Sequence, residues 1–188
     1  AVADLLRLGA IDETGRVLGP DEAPTEIADA VRERLVAVAG DFAFELVPAT
    51  DSKTGEAIRL YQRDVRELQL ASGAIRAGIS IMLRKAGLAP DDLDSILLAG
   101  GFGNYIRREN AQRIGLLPDL PVERIHFVGN AASTGAKAVL FARELRDQAE
   151  KIARVTKHVD LSMDPEFQME FGMAMMFPGP DGLMPGLF

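Results

Sequence analysis

Apolar residues recur along the chain at two spacings, which predict helices and strands. A helix is predicted over the first residues, where apolar side chains at helical spacing precede Gly9. A second, amphipathic helix is predicted over 25–39, with Gly40 just beyond its end. Strict alternation over 42–48 and 57–62 predicts two antiparallel strands joined by a polar loop.

A long helix is predicted over 64–86. Its middle, from Leu70 to Leu83, is apolar or small almost all round, and a helix that is apolar on every side is buried. Gly73 and Gly78 lie inside it, although glycine costs helix propensity. We therefore expect another backbone to approach this helix closely at both glycines.

The second half of the chain alternates strands and helices. In chain order we predict a strand over 94–99, a helix over 107–114, a strand over 124–128, helices over 131–143 and 144–154, a strand over 155–161 and a final helix from Asp164. Together with the upstream strands, this alternation predicts an α/β architecture. The strands 94–99 and 124–128 should belong to one sheet.

Glycine is concentrated where the first of these strands ends. The apolar run 96–99 is followed by Gly100, Gly101 and Gly103. Glycine adopts backbone conformations closed to other residues, and its missing side chain lets another molecule approach the main chain. A buried strand that opens into such a turn is a common place for a ligand at a sheet edge. From this stretch alone, a tight turn without a ligand is an equally good interpretation.

Composition and charge narrow the functional classes. The 188 residues carry a net charge of −7, which disfavours sequence-independent binding to nucleic acid. The sequence contains no cysteine, which excludes disulfides, thiolate metal sites and iron–sulfur ligation by its own residues. No apolar run is long enough to cross a membrane, and no signal peptide is present. We therefore expect a cytoplasmic protein that does not bind nucleic acid or a membrane.

Two glycine stretches come close to known nucleotide-binding patterns without matching them. Gly101 and Gly103 could begin a dinucleotide fingerprint, but Ile106 stands where a small residue is needed. In the stretch 129–137 the glycines are too widely spaced for a phosphate loop. No pair of carboxylates is placed for acid–base chemistry either. We accordingly assign no catalytic residue and no metal ligand.

Several stretches nevertheless resemble a known superfamily. Residues 97–104, Leu-Leu-Ala-Gly-Gly-Phe-Gly-Asn, resemble the adenosine motif of acetate and sugar kinases, heat-shock chaperones and actin. Residues 129–136 resemble the second connecting motif of that superfamily. Within it, the chain is similar to the C-terminal part of the reductive activators of corrinoid proteins, through 64–71, 74–79 and 171–178. These stretches occur in the family's order and span most of the chain.

The resemblance implies an α/β fold, an actin-like ATPase (ribonuclease H-like) lobe with a mixed sheet flanked by helices. We divide the chain accordingly into three segments. Residues 1–62 are predicted to form a partial lobe with helices and a β-hairpin. Residues 63–177 are predicted to form the ATP-binding lobe with the adenosine motif, and residues 178–188 a loosely ordered tail.

The resemblance also implies a function in cobalt chemistry. Activators of this family use ATP to drive electron transfer to an inactive cobalt(II) corrinoid protein of a methyl-transfer system, and so return it to cobalt(I). For the full-length protein it implies ATP and Mg²⁺ as cofactors, and a [2Fe–2S] cluster in an upstream ferredoxin-like domain missing from this chain. The implied partner is a corrinoid protein of a methyltransferase system, and a homodimer is compatible with the resemblance.

By the same resemblance, Gly100, Gly101 and Gly103 shape the nucleotide pocket, and Phe102 and Asn104 contact the base or the ribose. The chain departs from the family pattern because it has no cysteine and no Asp-x-Gly-Thr-like phosphate motif. It also opens without Met inside a helical pattern, so we expect the natural protein to continue upstream. The phosphate and magnesium side should lie outside this chain, which by itself should be inactive.

Two alternatives stay open at this stage. The chain could be a fragment of a sugar or acyl kinase of the same superfamily. It could also be a non-catalytic dimerisation or docking module, in which the glycine turn binds nothing. In that case the Met-rich final helix would be the contact surface.

Overall fold

A computed structural model of the protein describes residues 1–101 and 105–179. Short 3₁₀ turns at Pro90–Asp92 and Val122–Arg124 connect some of the elements. In chain order the helices and strands are α1 Val2–Leu8, α2 Asp29–Arg32, β1 Leu35–Val38, β2 Asp41–Val47, β3 Ile58–Tyr61, α3 Gln62–Ala86, β4 Ile96–Ala99, α4 Arg108–Arg113, β5 Ile125–Gly129, α5 Ala131–Phe141, α6 Arg143–Val155 and α7 Phe167–Ala174.

The strands form two separate sheets. β1, β2 and β3 make an antiparallel meander, with Leu35 opposite Phe44 and Ala43 opposite Tyr61. β4 and β5 are parallel, and α4 lies in the connection between them, as a parallel pair requires. The α/β class predicted from the sequence is confirmed, with antiparallel and parallel strands kept in different sheets.

The helix predicted over 25–39 is wrong. Only Asp29–Arg32 is helical there, and Leu35–Val38 is strand β1, paired with β2. Ala39 and Gly40 both have positive φ, 52° and 92°, as the two central residues of a tight hairpin turn require. The apolar positions fit both periodicities, and pairing with β2 decided in favour of the strand.

The strand predicted over 155–161 is also wrong. Val155 ends α6, and no strand is present among the described residues that follow it. Residues 156–160 are exposed, and no described strand lies beside them, so alternation alone does not produce a ladder. At the end of the segment, the Asp160 carboxylate accepts hydrogen bonds from the hydroxyl and amide of Ser162 and closes a turn. These bonds hold the pKa of Asp160 below its ordinary value.

Helix α3 is the longest element, but it is buried on one side only. The buried side carries Val65, Ala77 and Ile81, whereas Ile75 and Met82 are about half exposed. The expectation that this helix is buried all round is therefore wrong for the residues that the structure describes. Its bounds agree with the prediction to within two residues at the start.

Helix α7 lies across α3 and approaches it closely at Gly73. A Cβ atom placed on Gly73 would lie 3.3 Å from the carbonyl carbon and oxygen of Ala174. The backbone approach predicted from Gly73 is thus confirmed. At Gly78 the neighbour is instead a side chain, because a Cβ atom there would lie 3.1 Å from Cδ1 of Leu161.

Polar side chains of α3 reinforce this packing. Gln69, only 1% exposed, donates from Nε2 to the carbonyls of Thr14, at 3.0 Å, and Met175, at 2.7 Å. Arg76 donates from Nη1 to the carbonyl of Met176 at 3.1 Å, and burial lowers its pKa. These bonds satisfy buried polar groups and connect α3 to segments distant in the sequence.

Ion pairs continue the contact toward the end of α3. Arg84 lies 2.9 Å from carboxylate oxygens of both Glu166 and Glu170, and the Glu170 side chain is buried. Lys85 lies 2.8 Å from Oδ2 of Asp164. The segment that leads into α7 is thereby held to α3 by charge as well as by packing.

Two hydrophobic clusters organise the described chain. The larger one is closed by Phe177, which is 1% exposed and whose amide donates to the Glu13 carbonyl at 2.9 Å. Its buried members are Leu5, Ala10, Ile11, Val17, Ala23, Ile27, Leu35, Phe44, Val65 and Phe177. The smaller cluster, Ala111, Leu117 and Ile125, lies between α4 and the parallel pair. The C-terminal segment is therefore part of the core formed mainly by the first 65 residues.

The predicted tail, 178–188, falls almost entirely on 180–188, which lie outside the described residues. The predicted boundary between residues 62 and 63 stays a prediction.

In the described segments no helix combines the length and the apolar character needed to cross a membrane.

We predict that Gly73→Leu destabilises the protein. A side chain there must displace the backbone of α7, and overpacking of this kind costs about 1–3 kcal/mol. The matched control is Ala74→Leu, which adds a leucine to the exposed side of the same helix. Urea unfolding should show a lower free energy of unfolding for the Gly73 variant only. Equal stability of the two variants would contradict the close contact.

We also predict that the Asp164–Lys85 pair makes a stabilising contribution that depends on pH. The hydrogen bond from Lys85 holds the pKa of Asp164 below its ordinary value of 3.8. The contribution is therefore complete well above pH 3.8 and is lost as the pH falls through the lowered pKa. Asp164→Asn should lower the melting temperature at pH 7, and the difference from wild type should shrink below pH 3.8. Asp147→Asn, on the exposed helix α6, is the control, and a pH-independent difference for Asp164→Asn would refute the prediction.

Candidate functional site

The carboxyl ends of the two parallel strands both open into a glycine turn. β4 is followed by Gly100, with φ 117°, and β5 ends at Gly129, with φ 64°. The Gly100 amide donates to the Gly129 carbonyl at 2.7 Å, so the two turns are joined directly. Because parallel strands place their carboxyl ends at the same edge, both turns lie together at this edge.

No described residue fills the space in front of these turns. A Cβ atom placed on Gly100, Gly101 or Gly129 would meet no other described atom within 4 Å. The positive φ angles explain the glycines at 100 and 129, but Gly101 has no such backbone requirement. Its missing side chain leaves the main chain accessible to another molecule.

Helix α5 begins at the same edge. Asn130 follows β5, and its Oδ1 accepts a hydrogen bond from the Ser133 amide at 3.0 Å, as an N-cap residue does. The N-terminus of this 11-residue helix, with its partial positive charge, is thus placed beside the glycine turns. The helix has no buried residue in the described chain, so its small side chains do not pack tightly on the sheet.

The opposite side of the first glycine turn leads into α4, which is attached to β5 through Arg108. Nη1 of Arg108 donates to the carbonyl of Val122 at 3.0 Å and to that of Ile125 at 2.9 Å. Its guanidinium carbon lies 5.6 Å from the centre of the Phe127 ring, within the range of a cation–π contact. The neighbouring Arg107 is exposed.

The structure places some of the predicted site residues and not others. Gly100 and Gly101 lie at the carboxyl edge, as predicted. Phe102, Gly103 and Asn104 lie outside the described residues, and their contacts stay a prediction. Gly129 is brought to the site by its hydrogen bond to Gly100, although the sequence analysis did not assign it there. The signal that could have identified it was a glycine directly after the second parallel strand.

A large cleft in the described residues lies elsewhere. It has a volume of about 1030 Å³ and runs between α1, the following loops and α4. It carries five carboxylates against two arginines; the carboxylates are Asp12, Glu13, Glu26, Glu109 and Asp119, and the arginines are Arg7 and Arg113. A nucleotide's phosphates would meet mainly like charge there, so we place the candidate site at the glycine turns.

Metal ligands are not gathered in the part of the chain that the structure describes. No group of three or more His, Asp or Glu side chains is arranged there to hold a metal ion. At the glycine turns the described residues present main chain without side chains, at Gly100, Gly101 and Gly129.

Comparisons of the sequence and the fold with known proteins identify relatives of this chain. A family model described as the C-terminal domain of RACo, the ASKHA domain, matches residues 1–187. The chain is 40% identical over 134 residues to the corrinoid activation enzyme RamQ of Eubacterium limosum, covering 71% of this chain and 23% of that protein. It is 28% identical over 102 residues to a [Co(II) methylated amine-specific corrinoid protein] reductase of Methanosarcina barkeri, covering 54% of this chain and 19% of that protein.

A solved structure shares the fold. It is a reductive activator for a corrinoid, iron–sulfur protein, with a TM-score of 0.77 and 31% sequence identity over 95% of this chain. The match covers 27% of the solved chain. The present chain thus spans about a fifth to about a quarter of the length of the proteins that it matches.

We predict that the adjacent glycines 100 and 101 respond differently to alanine. Gly100→Ala forces a side chain into a backbone conformation that costs about 1–3 kcal/mol. Gly101→Ala meets neither strain nor a neighbouring atom, so its free energy of unfolding should stay the same or rise slightly. Urea unfolding of the two variants measures the difference. Equal losses of stability would show that the turn does not have this conformation.

Proposed function

Because this chain belongs to the family of the C-terminal ASKHA domain of RACo, we propose that it provides the adenosine side of an ATP site in a longer protein that reductively reactivates corrinoid proteins. The observation that carries the proposal is the pair of hydrogen-bonded glycine turns, open to a ligand at the carboxyl edge of β4 and β5. Ligands of α/β proteins bind at this edge, where the strands end and the loops begin.

The described geometry suits a nucleoside. A flat base and a ribose can approach the main chain at Gly101, because a side chain is missing there and no other described atom lies within 4 Å of a Cβ placed on it. Phe102, Gly103 and Asn104 complete the proposed pocket as contacts of the base or the ribose.

Other groups of the proposed reaction do not fit this chain. Magnesium prefers carboxylate, phosphate and water oxygens, and the described residues gather no group of three or more His, Asp or Glu side chains. A [2Fe–2S] cluster is held by cysteine thiolates, which the chain does not have. We assign Mg²⁺, the phosphate contacts and the cluster to other parts of the longer protein, and we derive no step through them here.

The proposed partner is a corrinoid protein of a methyl-transfer system, in the cytoplasm. Support comes from the names of the relatives, which describe corrinoid activation or the reduction of a corrinoid protein. Those names give no support to a sugar or acyl kinase. In this proposal, closure of the ATP-binding lobes around the nucleotide is the motion coupled to electron transfer. A homodimer is also part of the proposal.

We predict that Gly101→Val in the full-length protein abolishes or strongly weakens nucleotide binding without unfolding the lobe. Valine fills the open space at the turn, so the dissociation constant for a non-hydrolysable ATP analogue should rise at least about tenfold, equivalent to about 1.4 kcal/mol. Isothermal titration calorimetry with Mg²⁺ present measures it. Gly172→Val, at an exposed glycine of α7 with open space around it, is the matched control.

Unchanged affinity of the Gly101 variant would refute the assignment of the site. The assignment of the phosphate contacts to other parts of the protein is tested separately, with residues 1–188 alone. This chain should bind the analogue weakly or undetectably, because the phosphate contacts lie elsewhere. Tight, magnesium-dependent binding by it would show that the phosphate side has been assigned to the wrong part of the protein.

A further inference from the structure

The cleft between α1, the loops that follow it and α4 is lined by carboxylates from two parts of the chain, and we call it the acidic cleft. Glu13 and Glu26 come from the loops after α1, whereas Glu109 lies on α4 and Asp119 in the loop after it. All four residues are exposed, so a molecule in the cleft can reach them from solvent.

These four carboxylates are not neutralised by the protein itself. None of them forms an ion pair with another described residue. The arginines of the cleft, Arg7 and Arg113, form no ion pair with a described residue either. The fifth carboxylate differs, because Asp12 lies 3.4 Å from Arg16 and accepts a hydrogen bond from the Thr14 hydroxyl. Four negative charges of the cleft therefore have no counter-charge in the described chain.

The acidic cleft also has an accessible apolar part. Leu6, Leu8 and Leu18 line it and are only half-buried. An apolar centre with a polar rim is the usual arrangement of a protein–protein interface. The cleft volume of about 1030 Å³ lies at the upper end of the range for small-molecule pockets, about 300–1,000 Å³. Size and composition together favour a polypeptide segment over a small cation.

We propose that the acidic cleft docks a segment of another protein in which lysine or arginine residues stand beside apolar ones. Charge complementarity supports this occupant, since opposite charges across an interface favour association and select the partner. A second copy of the chain is disfavoured by its net charge of −7. Residues 180–188, which follow the cleft residue Gly179, contain one aspartate and no lysine or arginine. The inference is independent of the proposed function, because the cleft is separate from the glycine turns.

The first measurement uses a short fluorescent peptide in which lysine alternates with leucine. Fluorescence anisotropy should show that it binds the full-length protein and that its affinity falls as salt is added, because salt screens exposed charges. A peptide with glutamate in place of lysine should not bind. A peptide with serine in place of leucine should bind at least about fivefold more weakly, because it buries no apolar surface.

The second measurement locates the binding. Glu109→Gln combined with Asp119→Asn should raise the dissociation constant of the lysine–leucine peptide at least about fivefold, because two charges of the cleft are lost. Glu144→Gln combined with Asp147→Asn is the matched control, since it makes the same change in charge on the exposed helix α6. The control should match the wild type. All four side chains are exposed, so both variants should keep the wild-type melting temperature.

Three results would overturn the proposal. Equal losses of affinity in the two variants would show general charge attraction without a docking site. Spermine that binds as tightly as the peptide and competes with it would identify a site for small cations. A full-length protein that does not bind the lysine–leucine peptide would show that the cleft is not open to another protein. Failure of ATP binding, in contrast, overturns the proposed function and leaves this inference unaffected.

Discussion

The hydrogen bond between the Gly100 amide and the Gly129 carbonyl is the constraint around which the candidate site is arranged. It closes the carboxyl edge of a two-stranded parallel sheet, and it forms between two residues with positive φ angles. Such conformations are strained for residues with a side chain, so this geometry requires glycine at both positions. The same requirement leaves Gly100 and Gly129 without side chains at this edge, where the proposed function places a nucleoside.

The remaining structure holds this edge in place. Helix α4 packs on the parallel strands through Ala111, and its far end meets α3 at Gly115. A Cβ atom on Gly115 would lie 2.8 Å from Nη1 of Arg76 and 3.3 Å from Pro178. The guanidinium of Arg76 in turn donates to the Met176 carbonyl. α3, α4 and the C-terminal segment therefore meet at one point, so a displacement of any one of them moves the contacts of the other two.

The described polar side chains serve mainly the packing of the fold. The described polar contacts are mainly structural: Gln69, Arg76 and Arg84 satisfy backbone carbonyls or carboxylates of packed segments. Carboxylates are abundant; five of them line the cleft between α1 and α4, and others, such as Glu170 and Asp164, pair with arginine or lysine. In the proposed division of labour, this chain contributes the nucleoside contacts, and the redox chemistry belongs to the rest of the longer protein.

The sequence by itself determined the local features, because they depend on residues that are close neighbours in the chain. A short apolar run before glycines predicted β4 and its turn, and Gly73 inside a helical pattern predicted the close approach of another backbone. Only the tertiary structure decided the rest. Leu35–Val38 is a strand because β2 lies beside it and pairs with it. Residues 155–161 form no strand because no described strand lies beside them. Helix α3 is buried only on the side that α7 and the larger hydrophobic cluster cover. Phe177 enters a core built from residues more than a hundred positions earlier, and Arg108 reaches carbonyls at the start of β5. No local pattern encodes such pairings, since they arise from the free energy of contacts between segments that the fold brings together.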